Sequence, residues 1–182
     1  MIEIYDNALN KKECDMLIDQ FEKSRIIKGI TSYKGVTTAD DTVKKCKEVS
    51  DCRFSNNSRI SHLLQSNLVR CINRYADKYE ALSDISIWKY DDCYTFQKYE
   101  TEDDGFKKWH CEHGVKEDSN RILVWMFYIN DAKSGTEFMY HSNVKAKRGR
   151  CVIWPAGWEY MHRSVPNKGV KYIISGWASY VE

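Results

Sequence analysis

The run "RILVWMFYIN" at residues 121–130 indicates a buried β-strand, because β-branched and aromatic residues follow one another and the run ends in a polar turn. Similar runs occur before and after it, separated by Gly, Asn and Asp: "DCYTFQKY" (92–99), "GTEFMY" (135–140), "RCVIWP" (150–155) and "KYIISGWASYV" (171–181). Residues 84–182 are therefore predicted to be mainly β.

The first half of the chain has a different pattern. Asn10 is placed to cap a helix in which apolar residues recur at helical spacing, namely Cys14, Leu17, Ile18 and Phe21. A second helix is predicted from about Ser58, with one apolar side formed by Ile60, Leu63, Leu64, Leu68, Ile72 and Tyr75. Residues 27–56 have scattered apolar positions, so they are predicted to be a loop-rich connection with little regular structure that could close over a substrate.

Two helices followed by short antiparallel strands predict an α+β, mainly β fold, a jelly roll (double-stranded β-helix) with supporting N-terminal helices. A chain of 182 residues fits one domain. We expect residues 1–182 to form it, with 1–83 as the helical support and loop region and 84–182 as the jelly-roll core.

Composition narrows the class of protein. The formal net charge is +2, from 28 basic and 26 acidic residues, which favours neither a nucleic-acid nor a membrane partner. The seven cysteines include no CxxC pair and are expected to be reduced thiols. No apolar stretch is long enough to span a bilayer, so we expect a cytoplasmic protein. Its oligomeric state is not indicated.

The segment "KKWHCEHG" (107–114) raises the question of a metal site. On a strand, His110 and Glu112 would project from one face and Cys111 from the other. An imidazole beside a carboxylate can bind a divalent cation, but the pair alone is also typical of a polar turn. A third ligand has to come from elsewhere in the chain.

His162 is the candidate for that third ligand. If the β region closes into a jelly roll, its start and end meet, and His110, Glu112 and His162 converge as two imidazoles and one carboxylate. This set binds non-haem Fe(II) on one face and leaves positions open. Lys171 would point into the same interior as Ile173 and Trp177, where a buried lysine needs an anion to pair with.

These stretches, with "GRCVIWPAGWEYMHRSVPNKGVKY" (149–172), resemble the Fe(II)/2-oxoglutarate-dependent oxygenases of the prolyl 4-hydroxylase type. The opening "YDNALNKKECDMLIDQFE" (5–22) is similar to the usual start of such domains. The resemblance implies that His110, Glu112 and His162 hold iron and that Lys171 pairs with the distal carboxylate of 2-oxoglutarate. The family more often has Asp where Glu112 stands, so the carboxylate here is one methylene further from the backbone.

The resemblance also implies roles for three aromatic residues. Tyr99 and Tyr128 match tyrosines that hydrogen-bond the cosubstrate, and Trp177 matches a tryptophan that forms a wall of the substrate pocket. The cofactors implied are Fe(II), 2-oxoglutarate and O2, with ascorbate as a supporting reductant.

The function expected on this basis is hydroxylation of a C–H bond, in a prolyl or other residue of a peptide or protein. One alternative keeps the chemistry and changes the substrate to a free amino acid, another small metabolite or a nucleobase. Another alternative is a non-catalytic metal-binding jelly-roll module. The sequence does not decide between these.

Overall fold

The structure is a computed structural model that describes residues 1–33, 36–54, 58–166 and 168–181. Along these residues it contains two α-helices, α1 (Lys11–Lys23) and α2 (Arg59–Lys78), and three short 3-10 helices at Glu80–Ser83, Lys116–Asp118 and Trp158–Tyr160. The strands are β1 (Glu3–Tyr5), β2 (Ile27–Lys28), β3 (Thr31–Tyr33), β4 (Val36–Thr38), β5 (Lys44–Lys45), β6 (Lys47–Arg53), β7 (Trp88–Tyr99), β8 (Gly105–Phe106), β9 (Arg121–Tyr128), β10 (Gly135–Phe138), β11 (Val144–Lys145), β12 (Arg150–Pro155), β13 (His162–Ser164) and β14 (Lys171–Tyr180).

The two helices begin where their caps predict. The Asn10 side chain accepts a hydrogen bond of 3.0 Å from the Glu13 backbone N–H, and the Glu13 carboxylate accepts one of 2.7 Å from the Asn10 backbone. The Ser58 hydroxyl accepts a bond of 3.0 Å from the Ser61 N–H at the start of α2. Neither helix, nor any other in the described residues, is long and apolar enough to cross a membrane.

Antiparallel sheets form the jelly roll, which confirms the predicted fold class. The major sheet has seven strands in the order β1-β12-β9-β14-β7-β6-β2, and the minor sheet has the order β11-β10-β13. Strands β3 and β4 form one two-stranded sheet, and β5 and β8 form another. Neighbours in the major sheet are far apart in sequence, so the fold brings both ends of the β region together.

The prediction that residues 27–56 have little regular structure is wrong for the part described. That part contains β2 to β6, and β6 pairs with β7 at the edge of the major sheet. Positions 34, 35, 55 and 56 lie outside the described residues. The strands were missed because polar residues such as Lys44 and Glu48 occupy buried positions, where the alternation rule expects apolar ones. A role in covering the substrate stays a prediction.

Apolar residues pack on both faces of the major sheet. On one face, Phe21 of α1 and Leu64 of α2 join Phe96, Trp125 and Ile174 of the strands. On the other face, which is the interior of the jelly roll, the core residues include Tyr99, Met126, Tyr128, Phe138, Trp154 and Ile173. Successive residues of β14 alternate between these two cores. The interior between the sheets is therefore the part of the fold available for a site.

Candidate active site

Two backbone hydrogen bonds join the histidines of the predicted triad. The His110 N–H donates to the His162 carbonyl at 3.1 Å, and the His162 N–H donates to the His110 carbonyl at 2.8 Å. Glu112 follows in a turn, with its N–H donating to the Ala156 carbonyl at 3.1 Å. The expectation that His110 and Glu112 share a strand face is therefore wrong, because only His110 makes a β-bridge. The turn, rather than strand alternation, brings Glu112 back to the histidines.

The three side chains converge as the sequence predicts. Glu112 Oε1 lies 3.9 Å from His110 Nε2 and 3.6 Å from His162 Nε2. One ligand atom from each residue lies within 4.8 Å of the others, an arrangement that could hold a metal ion. Two imidazoles and one carboxylate are the set of ligands that suits non-haem Fe(II).

Both histidines present the same ring nitrogen to the centre. His110 Nδ1 lies 3.0 Å from the Lys108 carbonyl, and His162 Nδ1 lies 3.0 Å from the Tyr160 carbonyl. A carbonyl accepts only, so each Nδ1 carries the proton and each Nε2 lone pair is free for a metal. Burial lowers the pKa of each histidine from 6.5 to about 4, so both rings are neutral at pH 7.

Glu112 is held through its other carboxylate oxygen. The Trp177 indole N–H donates to Glu112 Oε2 at 2.7 Å. Arg121 Nη1 lies 3.7 Å from the same oxygen, and its guanidinium lies 3.9 Å from the centre of the Trp177 ring. The predicted pocket tryptophan therefore contacts the carboxylate of the triad directly.

Lys171 points into the jelly-roll interior, as predicted, and is 1% exposed. It lies opposite Tyr99 in the β14–β7 pair, with Nζ 4.8 Å from the centre of the tyrosine ring. Burial lowers the pKa of Lys171 from 10.5 to about 8, so the amine is still largely charged at pH 7. Among the residues that the structure describes, no carboxylate forms an ion pair with it.

The two predicted cosubstrate tyrosines are buried in the same interior. The Tyr99 hydroxyl donates to the Gln97 side-chain carbonyl, and the Tyr128 hydroxyl lies 2.6 Å from the Thr136 hydroxyl. Burial raises the pKa of both phenols, so both stay neutral at pH 7. Each hydroxyl is a neutral hydrogen-bonding group on the same side of the major sheet as Lys171.

The sequence comparison agrees with this geometry. The model of the 2OG-Fe(II) oxygenase superfamily matches residues 94–179, a span that includes the triad, Lys171 and Trp177. Residues 94–179 are therefore similar to the 2OG-Fe(II) oxygenase superfamily. No curated protein sequence matches the chain significantly.

Solved structures show the same fold at low sequence identity. The viral collagen prolyl hydroxylase of Paramecium Bursaria Chlorella virus-1 has a TM-score of 0.65 at 14% identity, over 99% of this chain and 96% of that one. A prolyl-4-hydroxylase from Pseudomonas putida has a TM-score of 0.67 at 13% identity, over 100% of this chain and 93% of that one. A Trichoplax adhaerens prolyl hydroxylase, solved with a hypoxia inducible factor peptide fragment, has a TM-score of 0.69 at 12% identity, over 98% of this chain and 83% of that one.

The 2OG-Fe(II) oxygenase family implies Fe(II), 2-oxoglutarate and O2 as the cofactors. The residues present fit the first two. The neutral imidazoles and the carboxylate supply the donors that Fe(II) accepts, and Lys171 supplies a buried cation for a diacid.

Other residues in or near this candidate site were missed by sequence reasoning. Arg121 gave no signal, because its contact with Glu112 depends on the turn at that residue. The Phe106 ring stacks on His110 with centroids 3.6 Å apart, and β8 was too short to predict. Lys44 and Glu48 form a buried ion pair in the segment interpreted as a loop, and Lys44 Nζ also donates to the Ile30 carbonyl at 3.1 Å.

Proposed function

We propose that the protein is an Fe(II)- and 2-oxoglutarate-dependent dioxygenase in which His110, Glu112 and His162 hold the iron. In this proposal, Lys171 binds the distal carboxylate of 2-oxoglutarate. The observation that carries it is the buried amine of Lys171, which no carboxylate of the described chain neutralises. Burying a charge without a partner is costly, and a jelly roll that only bound a metal would not need it.

When bound, the iron and 2-oxoglutarate supply oxidative decarboxylation of the cosubstrate coupled to hydroxylation of a C–H bond. The residues of the chain hold and orient these groups. The Lys108 and Tyr160 carbonyls keep the histidine rings in the ligating tautomer, and the Tyr99 and Tyr128 hydroxyls offer further hydrogen bonds to the cosubstrate. The buried surroundings keep competing water away.

We propose a prolyl or other residue of a peptide or protein as the substrate. Three large exposed apolar side chains on segments next to His162 support this: Met139, Tyr140 and Trp158, at 40%, 62% and 66%. Met139 and Tyr140 follow Phe138, which pairs with His162 in the minor sheet. Exposed apolar surface beside a site suits an extended chain better than a small polar metabolite. The solved Trichoplax relative also contains a peptide fragment.

We also propose that the whole chain forms one oxygenase domain. Strands from the N-terminal region support this, because β1 pairs with β12 and β6 pairs with β7 in the major sheet. The solved relatives match 98% to 100% of the chain.

The function is tested in two steps. Anaerobic titration with Fe(II) and then 2-oxoglutarate should give a weak visible charge-transfer band, which a non-catalytic module would not show. A library of proline-containing peptides is then compared with the same library carrying alanine for proline. Succinate release together with a mass gain of one oxygen, in the proline library only, is the expected result. Equal succinate in both libraries with no modified peptide would contradict a prolyl substrate.

A further inference from the structure

The two carboxylate oxygens of Glu112 face different partners. Oε1 faces the histidines, at 3.9 Å from His110 Nε2 and 3.6 Å from His162 Nε2. Oε2 contacts two other residues, at 2.7 Å from Trp177 Nε1 and 3.7 Å from Arg121 Nη1. One oxygen therefore lies near the two imidazole nitrogens, and the other accepts a hydrogen bond from Trp177 and lies near the Arg121 cation.

The backbone at Trp177 is held in place from the helix side of the major sheet. Trp125, which is completely buried, donates from its indole N–H to the Trp177 carbonyl at 3.2 Å. The Trp125 ring also packs on Gly176, where any Cβ would collide with it. The register of β14 shifts between Gly176 and Ala178, which is the position of Trp177. The buried core thus fixes the backbone position from which the Trp177 indole reaches Glu112.

Arg121 is held by two contacts of its own. Its Nη2 lies 3.0 Å from Asp118 Oδ1, and its guanidinium stacks over the Trp177 ring at 3.9 Å. These contacts keep a positive charge near Glu112 Oε2. Neither an indole N–H nor a guanidinium can act as a metal ligand at neutral pH, so both can only occupy the carboxylate oxygen that they face.

We infer that Trp177 and Arg121 are positioning residues that keep Glu112 a one-oxygen ligand. This inference rests on the proposed metal site. A glutamate has one more rotatable bond than an aspartate, so an unrestrained Glu112 can turn and present both oxygens to the ion. Binding through both oxygens would take a coordination position that the cosubstrate or O2 needs. Holding Oε2 at Trp177 keeps that position open.

The inference gives a physical reason for glutamate at this position. The carboxylate has to reach the histidines with one oxygen and the Trp177 indole with the other. An aspartate is shorter by one methylene, so from the same backbone position its carboxylate would lie further from both partners. Glu112 and Trp177 should therefore be energetically coupled in metal binding.

The test uses Mn(II) as the probe, without 2-oxoglutarate or substrate, on the Trp177→Phe variant. Outer hydrogen bonds to metal ligands typically change metal affinity by 10- to 100-fold, so we expect Mn(II) affinity to fall by about tenfold or more. The proton relaxivity of water in contact with bound Mn(II) should also fall, because a two-oxygen carboxylate displaces a water molecule. Trp88→Phe is the matched control, since it removes an indole hydrogen bond of 3.1 Å, to the Leu82 carbonyl, away from the site.

The outcomes separate the inference from the proposed function. If the wild-type protein binds no Mn(II) or Fe(II), the proposed function fails. If the wild type binds Mn(II) and Trp177→Phe matches it in affinity and relaxivity, only the inference fails. Lower Mn(II) affinity with unchanged relaxivity also overturns the inference, because Trp177 would then stabilise the site without controlling how many Glu112 oxygens bind the metal.

A double-mutant cycle provides the second measurement. Glu112→Asp, Trp177→Phe and the double variant are compared for Mn(II) affinity. We expect Trp177→Phe to lower Mn(II) affinity about tenfold when residue 112 is glutamate and little when it is aspartate. Additive effects would contradict the inference. Arg121→Met, at a partly exposed position, provides the same test if Trp177→Phe does not fold, with the same expected fall in relaxivity.

Discussion

Lys171 and Tyr99 lie directly opposite each other on β14 and β7, with the lysine Nζ 4.8 Å from the centre of the phenol ring. The aromatic face gives the ammonium partial electrostatic compensation, and no carboxylate of the described residues adds to it. The site thus contains a buried cation that an anionic ligand would neutralise.

Lys171→Ala should weaken 2-oxoglutarate binding by about 2 to 4 kcal/mol, the range for removing one partner of a buried charge pair. Affinity for Fe(II) should change little, since Lys171 is not among the triad. Anaerobic titration of each ligand measures both quantities. Lys171→Arg is the control and should lose less, because it keeps the charge. Wild-type 2-oxoglutarate affinity in Lys171→Ala would exclude the assignment of this residue.

Lys171→Met should stabilise the ligand-free protein at pH 7. Burial lowers the pKa of Lys171 from 10.5 to about 8, so the folded state binds fewer protons than the unfolded state between these values. The stability associated with the neutral amine is present above pH 10.5 and is lost as the pH falls through 8. At 1.36 kcal/mol per pKa unit, we expect the free energy of unfolding of Lys171→Met to exceed that of the wild type by roughly 2 to 4 kcal/mol at pH 7. This difference should shrink toward pH 10. Urea unfolding at both pH values measures it, and a gain that did not depend on pH would argue against a charged Lys171.

His110→Ala and His162→Ala should each remove stoichiometric Fe(II) binding while leaving the fold largely intact, because each takes away one of three ligands. Metal content after anaerobic loading is the measurement, with circular dichroism to check the fold. His141→Ala is the matched control, since His141 is exposed and stacks on Tyr160 with centroids 4.7 Å apart. Metal content near the wild-type level in either ligand variant would show that the triad is not the iron site.

Metal binding should persist to an acidity at which exposed histidines are protonated. Burial lowers the pKa of His110 and of His162 to about 4, so protons compete for their Nε2 atoms only near that pH. We expect Mn(II) affinity to stay nearly constant from pH 7 to about 5 and then to fall. A decline centred near pH 6.5 would show that the rings are not buried in the neutral form.

The buried Lys44–Glu48 pair should be important for stability as a pair. Lys44→Met leaves the Glu48 carboxylate buried without its cation and should cost about 3 to 5 kcal/mol, whereas Lys44→Met with Glu48→Leu should cost less. Lys23→Met is the control, because its partner Asp19 is exposed and such pairs contribute about 1 kcal/mol or less. Urea unfolding compares the variants. A double variant less stable than Lys44→Met alone would contradict this prediction.

The predictions for the first helix succeeded because its signals are local. Capping at Asn10 and the apolar spacing of Cys14, Leu17 and Phe21 involve residues within a few positions of one another. Local signals failed for residues 27–56, where β5 pairs with β8, β6 pairs with β7, and Lys44 and Glu48 form a buried ion pair. No periodicity within the segment indicates such partners.

The sequence by itself determined which groups are available: two histidines 52 positions apart, a glutamate beside the first, and a lysine in the alternating pattern of the last strand. It also determined the β character of the second half. Only the tertiary structure decided that the turn at Glu112 brings one oxygen to the histidines and the other to Trp177. Only the tertiary structure also decided that Arg121 lies near Glu112 and that two backbone carbonyls set the histidine tautomers. These contacts depend on backbone turns and on strands paired across the sheet, and neither is encoded in the spacing of residues along the chain.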